Sequence, residues 1–233
     1  MHPHSCRAAL GLLLATAFLT MTGPATAAAA APAAEPRCTA GTGPYQWQLE
    51  RYLRLKADGR QSTGDCEAIR RFQRQQRIEP ADGYAGLPTY RLMLVAQAGK
   101  NPNARGRCPV RRFKVACVDL DRQLLWVQRN GTLVYKPVPI RSGRNGEETR
   151  TGRHRIYLKK RYEVSRLYDN APMPYSQYFS GGQALHGTPH DLFNGAGSAG
   201  CVNLRLADAA RLWRTLRVGD LVYVWGHRSG TKG

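Results

Sequence analysis

His186 and Cys201, fifteen positions apart, are the residues of this chain best suited to covalent chemistry. The cysteine lies in Ser198-Ala199-Gly200-Cys201-Val202-Asn203-Leu204-Arg205, the histidine in His186-Gly187-Thr188, and the small-residue loop Asn194-Gly195-Ala196-Gly197 separates them. A free thiol titrates near ~8.5 and is mostly protonated at neutral pH, so it needs a base before it can attack a carbonyl. His186 can take that proton and later return it to a leaving amine. Glycines in the intervening loop permit the turns that fold it back on itself. Backbone N–H groups around Gly200 and Cys201 are the natural donors to a developing oxyanion, because the small side chains of Ser198, Ala199 and Gly200 leave the main chain open to substrate. Each neighbour also has a plain alternative. Ser198 and Thr188 hydrogen-bond either the loop or a substrate; Asn203 orients the turn or caps it; Arg205 binds a carboxylate or is one more exposed arginine. His190 is a second candidate base, and His154 and His227 have no assigned partner.

The elements that must carry these residues follow from periodicity. Arg111–Asp119 alternates Phe113, Val115 and Cys117, Gln123–Gln128 is almost continuously apolar, Asn130-Gly131 makes a hairpin turn, and Thr132–Ile140 alternates again. Behind the cysteine, Leu206–Leu216 reads as an amphipathic helix, with Asp208 in its first turn and Trp213 on its core side; Gly219 then turns the chain into a last strand. The amino-terminal part is different. Pro44–Leu55, with Trp47, Leu49, Tyr52 and Leu53, Cys66–Gln76, with Ile69 and Phe72, and Pro88–Ala98 read as three short helices separated by Asp58-Gly59 and Asp82-Gly83.

Ahead of these, Met1–Arg7, an apolar run Ala8–Met21 and Ala25-Thr26-Ala27 have the layout of a secretory signal peptide, the run being short of the ~20 residues that span a bilayer. Lys and Arg outnumber Asp and Glu 35 to 16, a net charge of +19 that favours polyanionic partners. No zinc-finger, homeodomain or RNA-binding motif accompanies it, so cell-wall polymers are expected and nucleic acid is not. Cys6 precedes the apolar run, leaving five cysteines, an odd count in an oxidising compartment. The other four allow three pairings; Cys38 with Cys66 and Cys108 with Cys117 keeps each bridge within one segment and leaves Cys201 free. There is no Cys-x-x-Cys pair, and no metal or organic cofactor is expected.

His-Gly-Thr followed by Ser-x-Gly-Cys-Val-Asn resembles the signature of the L,D-transpeptidases, the YkuD-type cysteine enzymes that cross-link peptidoglycan, whose usual second block is Ser/Thr-His-Gly-Cys; Ala199 stands where that histidine is common. The block Thr149-Arg150-Thr151-Gly152-Arg153-His154 is similar to the family's Thr-Pro-x-Gly-x-aromatic, and the ordered blocks run from 112 to 226. The resemblance implies Cys201 as nucleophile and His186 as base, Gly200, Ser198 and Asn203 as oxyanion or loop support, and Thr188, Arg205 and Tyr175 as substrate-binding residues. It also implies a stem tetrapeptide donor cut after its third residue, and acylation by carbapenem β-lactams. Ile69…Phe72-Gln73 with Asp82-Gly83…Gly86…Thr89 resembles the peptidoglycan-binding domain 1 family over 44–97.

The expected protein is thus a secreted, wall-located α+β multidomain chain: signal peptide 1–27, Ala/Pro-rich leader 28–43, helical peptidoglycan-binding-like module 44–100, linker 101–110, β-rich catalytic domain 111–226 and tail 227–233. Its expected partners are peptidoglycan stem peptides and glycan strands, with no transmembrane anchor in the mature chain. An L,D-carboxypeptidase of the same fold, or a wall-binding protein with a decayed site, are the alternatives.

Overall fold

The computed structural model describes residues 38–39, 41–166 and 168–230. The signal peptide and residues 28–37 and 40 of the leader lie outside the described residues. No described helix is long and apolar enough to cross a membrane.

Among the described residues three helices come first: α1 (Gln46–Leu53), α2 (Thr63–Gln75) and α3 (Leu87–Ala98). α2 begins earlier than its apolar pattern suggested, because Ser62 and Asp65 form a reciprocal cap in which each side chain accepts the other's backbone N–H. Leu49, Ile69, Phe72, Ala85 and Met93 make the core of this unit. Trp47, expected on the apolar face of α1, is instead exposed, with the Arg51 guanidinium over its ring. The helix buries Gln46, Leu49 and Glu50, and Trp47 falls off that stripe.

The Phe72-Gln73 and Asp82-Gly83 motif is the knot of the unit. Gln73 Oε1 accepts from Gly83 N–H (2.7 Å), while Nε2 lies within hydrogen-bond reach of Asp82 Oδ1, Tyr84 O and Thr89 Oγ1. Gly83 has φ +79°, and a Cβ there would meet the Cys66 carbonyl at 2.7 Å, so glycine is required. Disulfides join Cys38 to Cys66 and Cys108 to Cys117, the pairing expected from locality. The stretch after α3 is tied down: the Asn103 side chain exchanges two hydrogen bonds with the Cys108 backbone, both 2.9 Å.

Nine strands follow in two sheets. The first has the order β3-β2-β1-β9-β4, from β1 (Lys114–Asp119), β2 (Leu124–Arg129), β3 (Thr132–Pro139), β4 (Gly152–Arg155) and β9 (Leu221–Trp225). The second is β5-β6-β7-β8, from β5 (Leu158–Lys160), β6 (Ser176–Ser180), β7 (Gln183–Thr188) and β8 (Val202–Arg205). The run Leu124-Leu125-Trp126-Val127 is wholly buried because both faces of β2 are covered. Leu125 and Val127 join the main core with Leu185, Val202, Leu204 and Leu212, whereas Leu124 and Trp126 pack on the Cys108–Cys117 bridge with Val95 and Ala98 of α3. The helical unit therefore shares a core with the first sheet. Phe113 precedes β1 and is exposed, contrary to its place in the expected alternation.

Helix α4 (Leu206–Thr215) covers the second sheet with Ala209 and Leu212. Its last turn is capped by two lysines: Lys114 Nζ donates to Thr215 O (2.6 Å), and Lys159 Nζ to Trp213 O and Leu216 O. Trp213, expected in the core, is only half-buried, with the Lys159 ammonium 4.3 Å from the centre of its ring.

Candidate active site

Parallel pairing of β7 with β8 sets the site. Leu185 lies opposite Val202 and His186 opposite Asn203, so alternation sends Leu185, Val202 and Leu204 into the core and turns His186, Cys201 and Asn203 to the other face. That face opens onto a cavity of about 700 Å³ whose lining includes His186, Thr188, Ser198, Cys201 and Asn203. Gly187 is closely packed: a Cβ there would lie 3.0–3.4 Å from the Leu206, Ala209 and Pro174 side chains, which would have to give way by a few tenths of an ångström.

Cys201 is the one free cysteine among the described residues. Its Sγ accepts from the Ala184 N–H at 3.4 Å and makes no hydrogen bond to the imidazole among the described residues. Burial pushes the thiol up from its ordinary value, against the pull of the Ala184 N–H. His186 is buried, and its Nδ1 is 2.7 Å from Gly187 O, which as a carbonyl requires the proton on Nδ1. Nε2 is 2.8 Å from Asn203 Nδ2. Burial holds the imidazole down to about 4; the Gly187 carbonyl opposes this and the Arg141 charge adds to it. At neutral pH the resting pair is a neutral thiol and a neutral imidazole.

The loop carrying Cys201 is braced from three sides. Ser198 Oγ donates to Cys201 O, Thr149 Oγ1 donates to Gly200 O (2.9 Å), and Gly143 N–H donates to Thr149 Oγ1 (2.9 Å). Gly200 has φ +98°, and a Cβ on it would reach within 2.4 Å of Gln183 Nε2. The Gln183 amide in turn accepts from Arg150 N–H and donates to Glu148 O. Arg150 occupies the place of the proline common in the resembled family, and a proline has no N–H to give Gln183. His154, in place of an aromatic ring, meets Phe179 edge-on at 5.4 Å.

Other expected site residues lie elsewhere. Tyr175 packs against the main core, and Arg205 is exposed with its guanidinium over Phe193; neither lines the cavity. His190 is exposed at the rim, Ala199 lines the cavity, and Gly200 is buried beneath it. The sequence reading missed Arg141, Thr149, Gln183 and Tyr178. Tyr178 lines the cavity with its hydroxyl pushed up to about 12 by burial and by Glu163, so it remains a donor. The order Thr149-Arg150-Thr151-Gly152 was the only trace of Thr149 in the sequence reading. Among the described residues no His/Cys/Asp/Glu cluster could hold a metal.

An imidazole on β7 and a thiol immediately before its parallel neighbour β8, opening onto one cavity of a β-rich domain, are the parts of a thiol enzyme. Residues 114–224 match the YkuD family, the L,D-transpeptidase catalytic domain. The crystal structure of an L,D-transpeptidase (Yku) from Stackebrandtia nassauensis is 37% identical, covering 83% of this chain and 96% of that one, with a TM-score of 0.64. L,D-transpeptidases from Xylanimonas cellulosilytica (27% identity; 84% of this chain, 100% of that one; TM-score 0.49) and Mycobacterium smegmatis (21%; 48% and 58%; 0.44) are also similar. No curated protein matches. The chain belongs to the L,D-transpeptidase (YkuD) family.

Proposed function

We propose that the protein is a secreted L,D-transpeptidase that cross-links peptidoglycan through a thioester on Cys201. One observation carries the reading: a free thiol and an imidazole share a face of paired strands above the cavity, with the imidazole tautomer set by Gly187 O. The donor is a stem tetrapeptide. As the thiol sulfur bonds to the carbonyl carbon of the third residue, its proton passes to His186 Nε2, which the Asn203 amide must first yield. The tetrahedral intermediate collapses, the carbon–nitrogen bond to the terminal D-Ala breaks, and His186 returns the proton to the departing amine. The side-chain amine of a second stem then attacks the thioester, losing its proton to His186 and regenerating the thiol. The N–H groups around Gly200 and Cys201 face the developing oxyanion in this scheme.

Export is supported by the two disulfides, which persist in oxidising compartments. The net charge of +19 suits an acidic polymer, and the three-helix unit is assigned to wall contact on the strength of its motif resemblance and exposed Trp47. Carbapenems acylate Cys201 in this reading. The test is mass spectrometry of the protein incubated with a purified disaccharide-tetrapeptide beside Cys201→Ala. A dimer joined through two third residues, absent in the variant, establishes transfer. Tripeptide alone makes the protein an L,D-carboxypeptidase, and folded protein with neither product nor Cys201 adduct refutes the enzyme reading for this substrate.

A further inference from the structure

Arg141 stands just beyond β3 and reaches the site from outside the two strands that carry it. Its backbone is held firmly. Arg141 and Asn203 exchange both main-chain hydrogen bonds as an isolated antiparallel bridge (3.0 and 2.9 Å). On one side Ile140 N–H donates to Gln123 O and Ile140 O accepts from the Arg91 guanidinium of α3 (2.7 Å). On the other, Ser142 N–H donates to Gln123 Oε1 and Ser142 O accepts from Arg228. From this clamped position Arg141 Nε and Nη2 both donate to Asn203 Oδ1 (3.2 and 3.1 Å), while Nη1 donates to Asp191 O and Asn194 O on the loop between β7 and β8.

A guanidinium carries donors only, so the atom of Asn203 facing it must be the oxygen. The amide NH₂ is therefore turned onto His186 Nε2, and a flipped amide would set Nδ2 against the cation. We propose that Arg141 is a positioning residue for the Cys201–His186 pair. By holding Asn203 Oδ1 it directs the amide N–H onto Nε2, and with Gly187 O on Nδ1 it keeps the imidazole in one neutral tautomer and one ring orientation. The inference rests on the reading of Cys201 and His186 as the reacting pair.

Freed from Arg141, Asn203 can rotate to offer Oδ1 to a protonated Nε2, and the nearby positive charge that opposes imidazolium is gone. Other ionisable groups lining the same cavity are Cys201 just before β8, Tyr178 from β6, Lys160 at the end of β5, Glu163, Arg166 and Tyr168 between β5 and β6, Arg150 before β4, Tyr157 between β4 and β5, and His190 beyond β7. Glu163 is paired with Lys160. None of these is hydrogen-bonded to the imidazole.

The test uses the mature protein, Arg141→Lys, which keeps the charge but not the fork, and Arg141→Met, which loses both. His186 is followed by ¹⁵N NMR from about pH 5 to about pH 8, with His186→Gln assigning the signal, and Cys201 by its rate of alkylation with iodoacetamide. In the wild type His186 stays a neutral Nδ1–H tautomer across this range. Both variants should show mixed tautomers. In Arg141→Met the imidazole titration and the acid limb of kcat/KM should also rise by about one pH unit or more. Alkylation near pH 6 should then quicken about tenfold, as an imidazolium–thiolate pair becomes accessible. An unmoved tautomer and titration in folded Arg141→Met overturns the proposal; should that variant not fold, an unmoved tautomer in Arg141→Lys does so. The NMR and alkylation readouts need no peptidoglycan. Absent turnover with the expected spectral changes therefore refutes the substrate reading alone, and normal turnover with unmoved spectra refutes the role of Arg141 alone.

Discussion

Two buried amides, Gln73 in the helical unit and Asn203 in the β domain, each hold together a loop that their sequence motif marks, and they differ in where their networks end. Gln73 spends its contacts inside the unit: on Gly83 N–H, on Asp82, on the Tyr84 carbonyl and on the Thr89 hydroxyl. Asn203 is as well buried, but the chain Arg141–Asn203–His186 runs out at an imidazole lining a cavity. A closed network of this kind stabilises a turn. An open one leaves a lone pair on the cavity side that can change partners, and that is what chemistry needs.

Substitutions can break or sharpen this contrast. The largest effect belongs to the open network: Cys201→Ala should lower product formation by at least about 10³-fold with a thermal midpoint close to wild type, as read by mass spectrometry and calorimetry. Next come the two strained glycines. Gly83→Ala sets a Cβ against the Cys66 carbonyl and should cost roughly 2–4 kcal/mol in denaturant unfolding, with β-lactam acylation of Cys201 unchanged. Gly200→Ala, pressed on the Gln183 side chain, should cost less stability and slow acylation about tenfold or more. Equal slowing in both would erase the distinction between the two regions.

The pH dependence of stability is a smaller effect. The folded imidazole of His186 takes up a proton only near 4, whereas the unfolded one does so near 6.5. The unfolded chain therefore binds more protons in that window, and stability falls as pH drops through it. His186→Gln should flatten this part of the profile in denaturant titrations. On the alkaline side the raised thiol acts in the opposite sense, its contribution being lost as pH rises beyond about 9. Smallest is Lys159→Met, which removes a cation from the carboxyl end of α4 and should cost about 1 kcal/mol by thermal unfolding, leaving acylation intact.

Much of this was legible in the residues. The Ser-x-Gly-Cys block and its upstream histidine marked the candidate site, and period-two alternation marked β1 and β3. Local pairing of four cysteines agreed with both bridges. Errors came where an element ends or a neighbour intrudes. Phe113 lies one residue before β1, Trp47 one position off the buried stripe of α1, and Trp213 under a lysine from another strand. Tyr175 and Arg205 sit in motif blocks near the cysteine, yet one turns to the core and the other to solvent. Distance along the chain does not report the direction of a side chain.

The sequence by itself determined which groups could react, because a thiol, an imidazole and the small residues beside them have their chemistry wherever they are placed. It also marked the four helices and the strands β1, β2, β3 and β9, since those patterns are local, but it left β4 to β8 unassigned. Only the tertiary structure decided which side chains meet. The parallel register of β7 on β8 sets His186 beside Asn203, with Cys201 just before β8 lining the same cavity, and the bridge at Arg141, sixty-two positions from Asn203, brings a guanidinium to the amide that touches the imidazole. Such contacts depend on the closing of long loops, and no pattern within one element encodes them.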